Sequence, residues 1–337
     1  MEKKGIAIAG NLICDRVKTI NHFPTIGTIA EITLTEQSIG GLVPNTAINL
    51  SKLSSDIPIL TFGCIGNDAD GQFMVDKMEK YGINCDNIKK LDKIHTSFCD
   101  VMSEQSGERT FFSFKGANAY FSPEHIDIDK LNCKIFHLGY LLLLDSFDKK
   151  DEEYGTVSAR FLHDLQNRGI KTSVDLISDE KGDYKTFVLP AIKYCDYVII
   201  NEVEASKLFD IEVYVDNKID ISSIKTIMQK MADFGVREKI VIHTKSIGYI
   251  FDVKTKSFSF LPSVNLPNEV IKGSVGAGDT YCAGCLFGLY NNYSDVEILE
   301  IASGMAACNL FSSNSVDGLK DKHQVYEIIG KYGRKTL

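Results

Sequence analysis

Short apolar runs rich in isoleucine and valine recur along the chain, at Gly5–Gly10, Ile59–Gly66, Lys134–Leu141, Ile170–Leu176, Tyr197–Asn201 and Lys239–Thr244. Segments with helical spacing separate them: Thr46–Leu53, Gly71–Tyr81, Gly155–Arg168, Glu202–Phe209 and Ile221–Phe234. A strand that is apolar at nearly every position is buried on both faces, and intervening helices supply the cover. The pattern therefore predicts an α/β fold with a mostly parallel central sheet and helices on both sides. The chain has 337 residues, of which 44% are hydrophobic and 24% charged. That is enough to bury a large core without disulfides or metals.

Two stretches break the rhythm. Thr28–Gln37 and His95–Phe114 alternate polar and apolar residues and carry no helical spacing. Ser106-Gly107 divides the second into two strand-like halves, as in a hairpin. Half-buried strands inserted at two points of the α/β order predict a small separate sheet. We expect it to form a lid from non-contiguous pieces, approximately 12–39 and 94–116.

Charge and hydropathy exclude several function classes. The net charge is −8, with 45 acidic against 37 basic residues, so general binding to nucleic acid or to an anionic membrane is not expected. The longest apolar stretch, Ile135–Leu144, is interrupted by His137, Gly139 and Tyr140 and is far short of a membrane span. Lys3 and Lys4 before Gly5–Cys14 loosely imitate a signal peptide, but Asn11 and Asp15 interrupt the run and a buried first strand is the better reading. Nine scattered cysteines read as reduced thiols and predict a cytoplasmic protein. Cys282-Ala283-Gly284-Cys285 falls inside a predicted helix without a second such pair, and reads as buried core thiols.

The segment Gly273–Thr280, GSVGAGDT, carries the chemistry. It follows the strand-like Phe258–Val264 and leads into Thr280–Tyr290, where Tyr281, Cys282, Cys285, Leu286 and Leu289 share one helical face. The Gly276-Ala277-Gly278 turn then sits at a helix N-terminus, where free N–H groups and the helix dipole favour an anion. Asp279 at the same spot is either a helix cap or a general base.

GSVGAGD resembles the C-terminal signature of the ribokinase-like (PfkB) family of sugar and nucleoside kinases, usually written D-T-x-G-A-G-D. Four further elements appear in the family's order: Gly10–Asp15 (GNLICD), Gly40–Ala47 (GGLVPNTA), Gly66–Gly71 (GNDADG) and Asn201–Glu204 (NEVE). Any one is weak, and the ordered set is strong. The resemblance implies one three-layer α/β/α domain over 1–337, with the lid where the alternating segments lie.

The resemblance also implies transfer of the γ-phosphoryl of ATP to an alcohol, usually a primary hydroxymethyl group. In that reading Asp279 is the general base, and the amides of Gly276, Ala277 and Gly278 form the anion hole. Asp15, Gly40, Gly41 and Asn45 belong to the substrate side, a carboxylate being able to hold two adjacent hydroxyls. Asn201 and Glu204 organise Mg²⁺ and its water shell, with Glu204 acting through water. Thr244, Gly248 and Asn309 fall near the nucleotide. Gly273 and Ser274 replace the first Asp and Thr of the signature, which leaves dependence on a monovalent cation open. Ile177 and Asp179 replace the Asn and Arg of a family D-x-N-x-R element that begins at Asp175.

A sugar is the leading substrate class, since Lys115–Asn118 (KGAN) resembles hexose and keto-sugar members. The first alternative is a nucleoside, whose base Phe98 or Phe112 could flank. The second is a non-catalytic ligand-binding regulator that kept the fold. Family members often pair through their lids, so a homodimer is a further expectation.

Overall fold

A computed structural model describes residues 3–104 and 108–336. Its largest element is a nine-stranded sheet. From one edge to the other the strands are Ser257–Pro262, Ile247–Asp252, Lys239–His243, Tyr197–Asn201, Lys171–Leu176, Ile135–Leu141, Ile6–Ala9, Ile59–Gly66 and Ile88–Leu91. The seven from Lys239–His243 onward are parallel, and the first two run antiparallel to their neighbours. Each of the six apolar runs predicted as strands lies in this sheet.

Successive side chains on a strand point to opposite faces, and the sheet uses this to build two cores. Ile6, Ile8, Ile135, Ile199 and Val241 enter one, and Ala7, Ala9, Phe136, Ile200 and Ile240 enter the other. The first core is covered by helices Leu42–Leu53, Ala69–Lys80, Ala277–Tyr290, Asp295–Asn309 and Lys322–Tyr332, the second by Val157–Asn167, Glu202–Phe209 and Ile221–Phe234. The result is the three-layer α/β/α architecture.

Two helices start three or more residues before the sequence expectation, each for a local reason. Leu42–Leu53 starts four residues early because Gly41 caps it and the Val43 N–H donates to the Asn11 carbonyl at 3.1 Å. Pro44 is tolerated because first-turn N–H groups lack intrahelical acceptors anyway. Ala277–Tyr290 also starts early, and Asp279 through Leu289 are all buried. The single apolar face expected for this helix is in fact a fully covered one, because Leu42–Leu53 and Asp295–Asn309 flank it.

A separate four-stranded sheet stands over the carboxyl ends of the parallel strands. Its order is Ile32–Gly40, Ile13–Ile20, Phe98–Glu104 and Arg109–Phe114. The first strand runs Ile32–Gly40 instead of Thr28–Gln37, since residues 28–31 are an exposed loop. The expected Ser106-Gly107 turn lies outside the described residues, but the strands on either side pair antiparallel from Ser103–Arg109 to Phe98–Phe114.

Candidate active site

The turn before Ala277–Tyr290 is built by Gly276, which caps the helix at φ 72°. A side chain is disfavoured there by that left-handed backbone, and a β-carbon would stand 2.4 Å from that of Ser315. Among the described residues the N–H groups of Gly276, Gly278 and Asp279 have no acceptor, whereas Ala277 N–H donates to the Ser274 carbonyl at 3.2 Å. The free donors at the helix end are thus Gly276, Gly278 and Asp279, with Ala277 spent on shaping the turn.

Asp279 is 4% exposed and is not a helix cap. Its Oδ2 accepts from Asn45 Nδ2 at 2.8 Å, and the Tyr140 hydroxyl donates to Oδ1 at 2.8 Å and to Oδ2 at 3.0 Å. Burial raises its pKa, and the Asn45 and Tyr140 hydrogen bonds oppose that rise. Asn45 was expected to meet substrate, yet both ends of its amide are engaged: Oδ1 accepts from Ser315 Oγ at 2.6 Å.

Tyr140 was not singled out from the sequence. It lies near the end of Ile135–Leu141, opposite a register shift: Leu138 pairs with Val174 and Leu141 with Leu176, so Gly139 and Tyr140 face the single residue Asp175. Bulges of this kind re-aim side chains. The Tyr140 backbone has φ 58°, a conformation that costs a bulky residue about 1–3 kcal/mol.

Asp15 comes from the lid strand Ile13–Ile20, in register with Ser38 on one side and Cys99 on the other, and Cys99 pairs with Ser113. Paired residues share a sheet face, so these four polar side chains form one row. Burial, with the negative charge of Asp279 adding to it, pushes Asp15 up to about 7. Gly40 and Gly41 lead from the lid into Leu42–Leu53, and Gly40 lies directly against the Asp15 carboxylate.

Two more carboxyl groups complete the acidic floor. Asp175 is held well above the usual carboxylate range by burial, then by Glu204 and Asp279. Glu204, 3% exposed, forms a capping box with Asn201. Its Oε2 accepts from Asn201 N–H at 3.1 Å, and its Oε1 accepts from Asn201 Nδ2 at 2.7 Å and Ser178 Oγ at 2.8 Å. Burial raises Glu204, against the hydrogen bonds from Asn201 and Ser178. Among the described residues no lysine or arginine forms an ion pair with Asp175, Glu204 or Asp279.

One turn along the helix, Cys282 joins His137 and Asp175 in bringing ligand-type atoms within 4.8 Å of one another. His137 Nδ1 meets Ser173 Oγ at 2.9 Å and its Nε2 meets the Cys282 thiol at 3.5 Å. Burial pushes His137 down to about 3 and the thiol well up, which describes a neutral core pair. All nine cysteines are unpaired.

A cleft of about 570 Å³ opens on the outer side of the glycine turn, with Asn201, Thr244, Ala277 and Gly278 in its wall. Residues 6–322 match the pfkB family of carbohydrate kinases. The chain belongs to that family. As a pfkB kinase it is a phosphotransferase with an alcohol group as acceptor. It is 26% identical to ribokinase from Schizosaccharomyces pombe over 266 residues, 75% of this chain and 73% of the relative. It is 24% identical to adenosine kinase from Saccharomyces cerevisiae over 277 residues, 80% and 77% of the two chains. The fold is that of Arabidopsis thaliana ribokinase, solved in complex with ribose and ATP, with a TM-score of 0.81, 18% identity and coverage of 98% and 99%.

In this pfkB kinase three residues expected near nucleotide or metal stand back from the cleft. Asn309 is fully buried and its Nδ2 donates to the Val275 carbonyl at 2.8 Å, so it braces the glycine turn from behind. Gly248 is buried on the strand next to the sheet edge, against the Tyr281 hydroxyl. Glu204 sits below Asn201, which alone of that pair reaches the cleft wall. Thr244 lies in the wall, but its hydroxyl is also used locally, accepting from the N–H groups of Ser246 and Ile247 at 3.0 Å each. His243, not singled out from the sequence, lines the same cleft and stacks on Tyr281 at 4.7 Å. Among the described residues no helix is long and apolar enough to cross a membrane.

Proposed function

We propose that this kinase transfers the γ-phosphoryl group of ATP to a hydroxyl, most simply a primary hydroxymethyl, of a small sugar, with Asp279 as general base. The observation that carries this reading is the position of Asp279. Its carboxylate and the free amides of Gly276, Gly278 and Asp279 share one helix end, between the cleft on one side and the lid's Asp15 on the other. A hydroxyl entering from the lid side would give its proton to Asp279 as it attacks, a contribution of roughly 10²–10⁴-fold. The amides would hold the phosphoryl oxygens as charge develops on them.

The acidic floor fits a magnesium ion. Asp175 and Glu204 are buried carboxyl groups of raised pKa with no cationic side chain paired to them among the described residues. Asp175, whose Oδ1 accepts only the Leu176 N–H at 2.7 Å, and Asn201 would hold the ion through water, and Glu204 would orient Asn201. The ion supplies charge neutralisation on the phosphates.

The lid row Ser38, Asp15, Cys99 and Ser113 favours a polyol over a base. Phe98 and Phe112, the side chains considered for a nucleoside slot, alternate with Cys99 and Ser113 and so lie on the opposite sheet face, where Arg16 covers Phe98 at 4.2 Å. The resemblance to adenosine kinase keeps a nucleoside as the second reading. Exposed Leu34 and Phe111 on the lid suit pairing with a second copy of the chain, which analytical ultracentrifugation would detect.

The deciding experiment offers Mg-ATP and a panel of sugars and nucleosides to the protein, and reads phosphorylated products by mass spectrometry. We expect one sugar phosphate from the native chain and none from Asp279→Asn. A nucleoside product moves the assignment to the second reading. Undiminished turnover by Asp279→Asn overturns the base. No product from any compound, with or without K⁺, points to an acceptor outside the panel or to the non-catalytic regulator.

A further inference from the structure

The geometry points to Tyr140 as the positioning residue that holds the Asp279 carboxylate in its ionised, outward-facing state. The inference rests on the reading of Asp279 as base and adds to it.

Three observations converge on this residue. Its hydroxyl reaches both oxygens of one carboxylate, at 2.8 and 3.0 Å, so it donates to the anion as a whole and not to a single lone pair. Its backbone adopts a left-handed φ of 58° at the one place where two residues of Ile135–Leu141 face a single residue of the neighbouring strand. A tyrosine held in a disfavoured conformation next to a bulge indicates that the surrounding structure dictates where the phenol goes. Finally, no other acceptor for the hydroxyl is found among the described residues. Asn45 fixes the carboxylate from the opposite side and is fixed in turn by Ser315.

The surroundings make such a donor necessary. Asp279 is faced by Asp15 from the lid, by Asp175 from Lys171–Leu176 and by the Cys282 thiol from its own helix, and Glu204 adds charge around Tyr140. Burial disfavours the charged form of Asp279, and of its neighbours among the described residues only Asn45 and Tyr140 oppose that effect. A base must be unprotonated to accept the substrate's proton, and a hydrogen bond to a carboxylate favours that form. Tyr140 cannot itself serve as the base, because burial and the neighbouring carboxyl groups push its phenol well above its usual range. It remains a donor throughout the working pH range.

The test is the pH profile of kcat at saturating sugar and ATP for the native chain and Tyr140→Phe. Without the hydroxyl the acid limb moves to higher pH by about one unit, so that turnover on that limb falls about tenfold and recovers towards the native value in alkali. Replacement of Tyr140 by 3-fluorotyrosine, whose shape is conserved and whose phenol is a stronger donor, moves the limb the other way. Thermal unfolding and ATP binding establish that each variant is folded. A factor that is the same at every pH, or a profile that superimposes on the native one, overturns the positioning role. Turnover by Asp279→Asn overturns the base reading instead. An inert Asp279→Asn together with an unmoved Tyr140→Phe profile rejects only the inference about Tyr140.

Discussion

The carboxylate of Asp15 rests on the bare backbone of Gly40, so closely that a β-carbon at position 40 would stand 2.2 Å from Oδ2. Gly40→Ala must therefore displace Asp15. We expect KM for the acceptor to rise about tenfold or more, the equivalent of about 1.4 kcal/mol, with ATP affinity unchanged. Steady-state kinetics with each substrate varied in turn will separate the two, and an unchanged acceptor KM would remove Asp15 from the substrate side.

Asp15 also predicts how stability depends on pH. Burial first, and then Asp279, push its pKa up to about 7. Between the ordinary carboxylate range and about pH 7 the folded chain keeps a proton that the unfolded chain has released. The group thus stabilises the fold at low pH, and this contribution is lost as pH rises through 7. Between about pH 5 and pH 8 the native chain should lose roughly 2–3 kcal/mol more than Asp15→Asn does. Urea unfolding at the two pH values measures the difference, and equal slopes would refute it.

Asn309 braces the glycine turn through the Val275 carbonyl. Asn309→Ala should cost about 1–3 kcal/mol of stability by leaving that buried acceptor unpaired. It should also weaken ATP and GTP by the same factor, because a brace behind the turn does not read the base. Loss of ATP affinity alone would return Asn309 to the adenine contact.

Glu204→Gln keeps the shape of the capping box and removes one buried charge. If Glu204 orients Asn201 for magnesium, the Mg²⁺ concentration for half-maximal activity should rise by roughly 10–100-fold, as expected for an outer partner of a metal site. A Mg²⁺ titration of turnover at fixed ATP decides this, with unaltered half-saturation as the contrary result.

The sheet was readable in the sequence because its strands are buried on both faces, and runs such as Tyr197–Asn201 leave no other use for so many β-branched residues. Asp279, Asp15 and the two glycine turns were proposed from the sequence because their neighbours carry the signal. The contacts that join them were not. Asn45 meets Asp279 across 234 positions and Ser315 meets Asn45 across 270, and nothing local in the sequence encodes either. Tyr140 escaped notice because its aim comes from a register shift between two strands. Asn309 was misplaced because a buried amide at a helix end looks the same in sequence whether it faces a ligand or the back of a loop. Ala277 was counted as an anion donor since only the folded turn reveals that Ser274 takes its N–H.

The bond from Ser315 to Asn45 has a consequence for how the enzyme comes into being. A ribosome delivers the lid, Gly40 and Asn45 long before it delivers Asp279, and Ser315 later still. A nascent chain can thus pair its first strands and wait, but the segment that packs on Gly276 and orients Asn45 is made only after Asp279. On the proposed chemistry, a chain released before Asp279 and Ser315 would neither phosphorylate an acceptor nor squander ATP on water, because it lacks both the residue that takes the proton and the serine that fixes Asn45 against it.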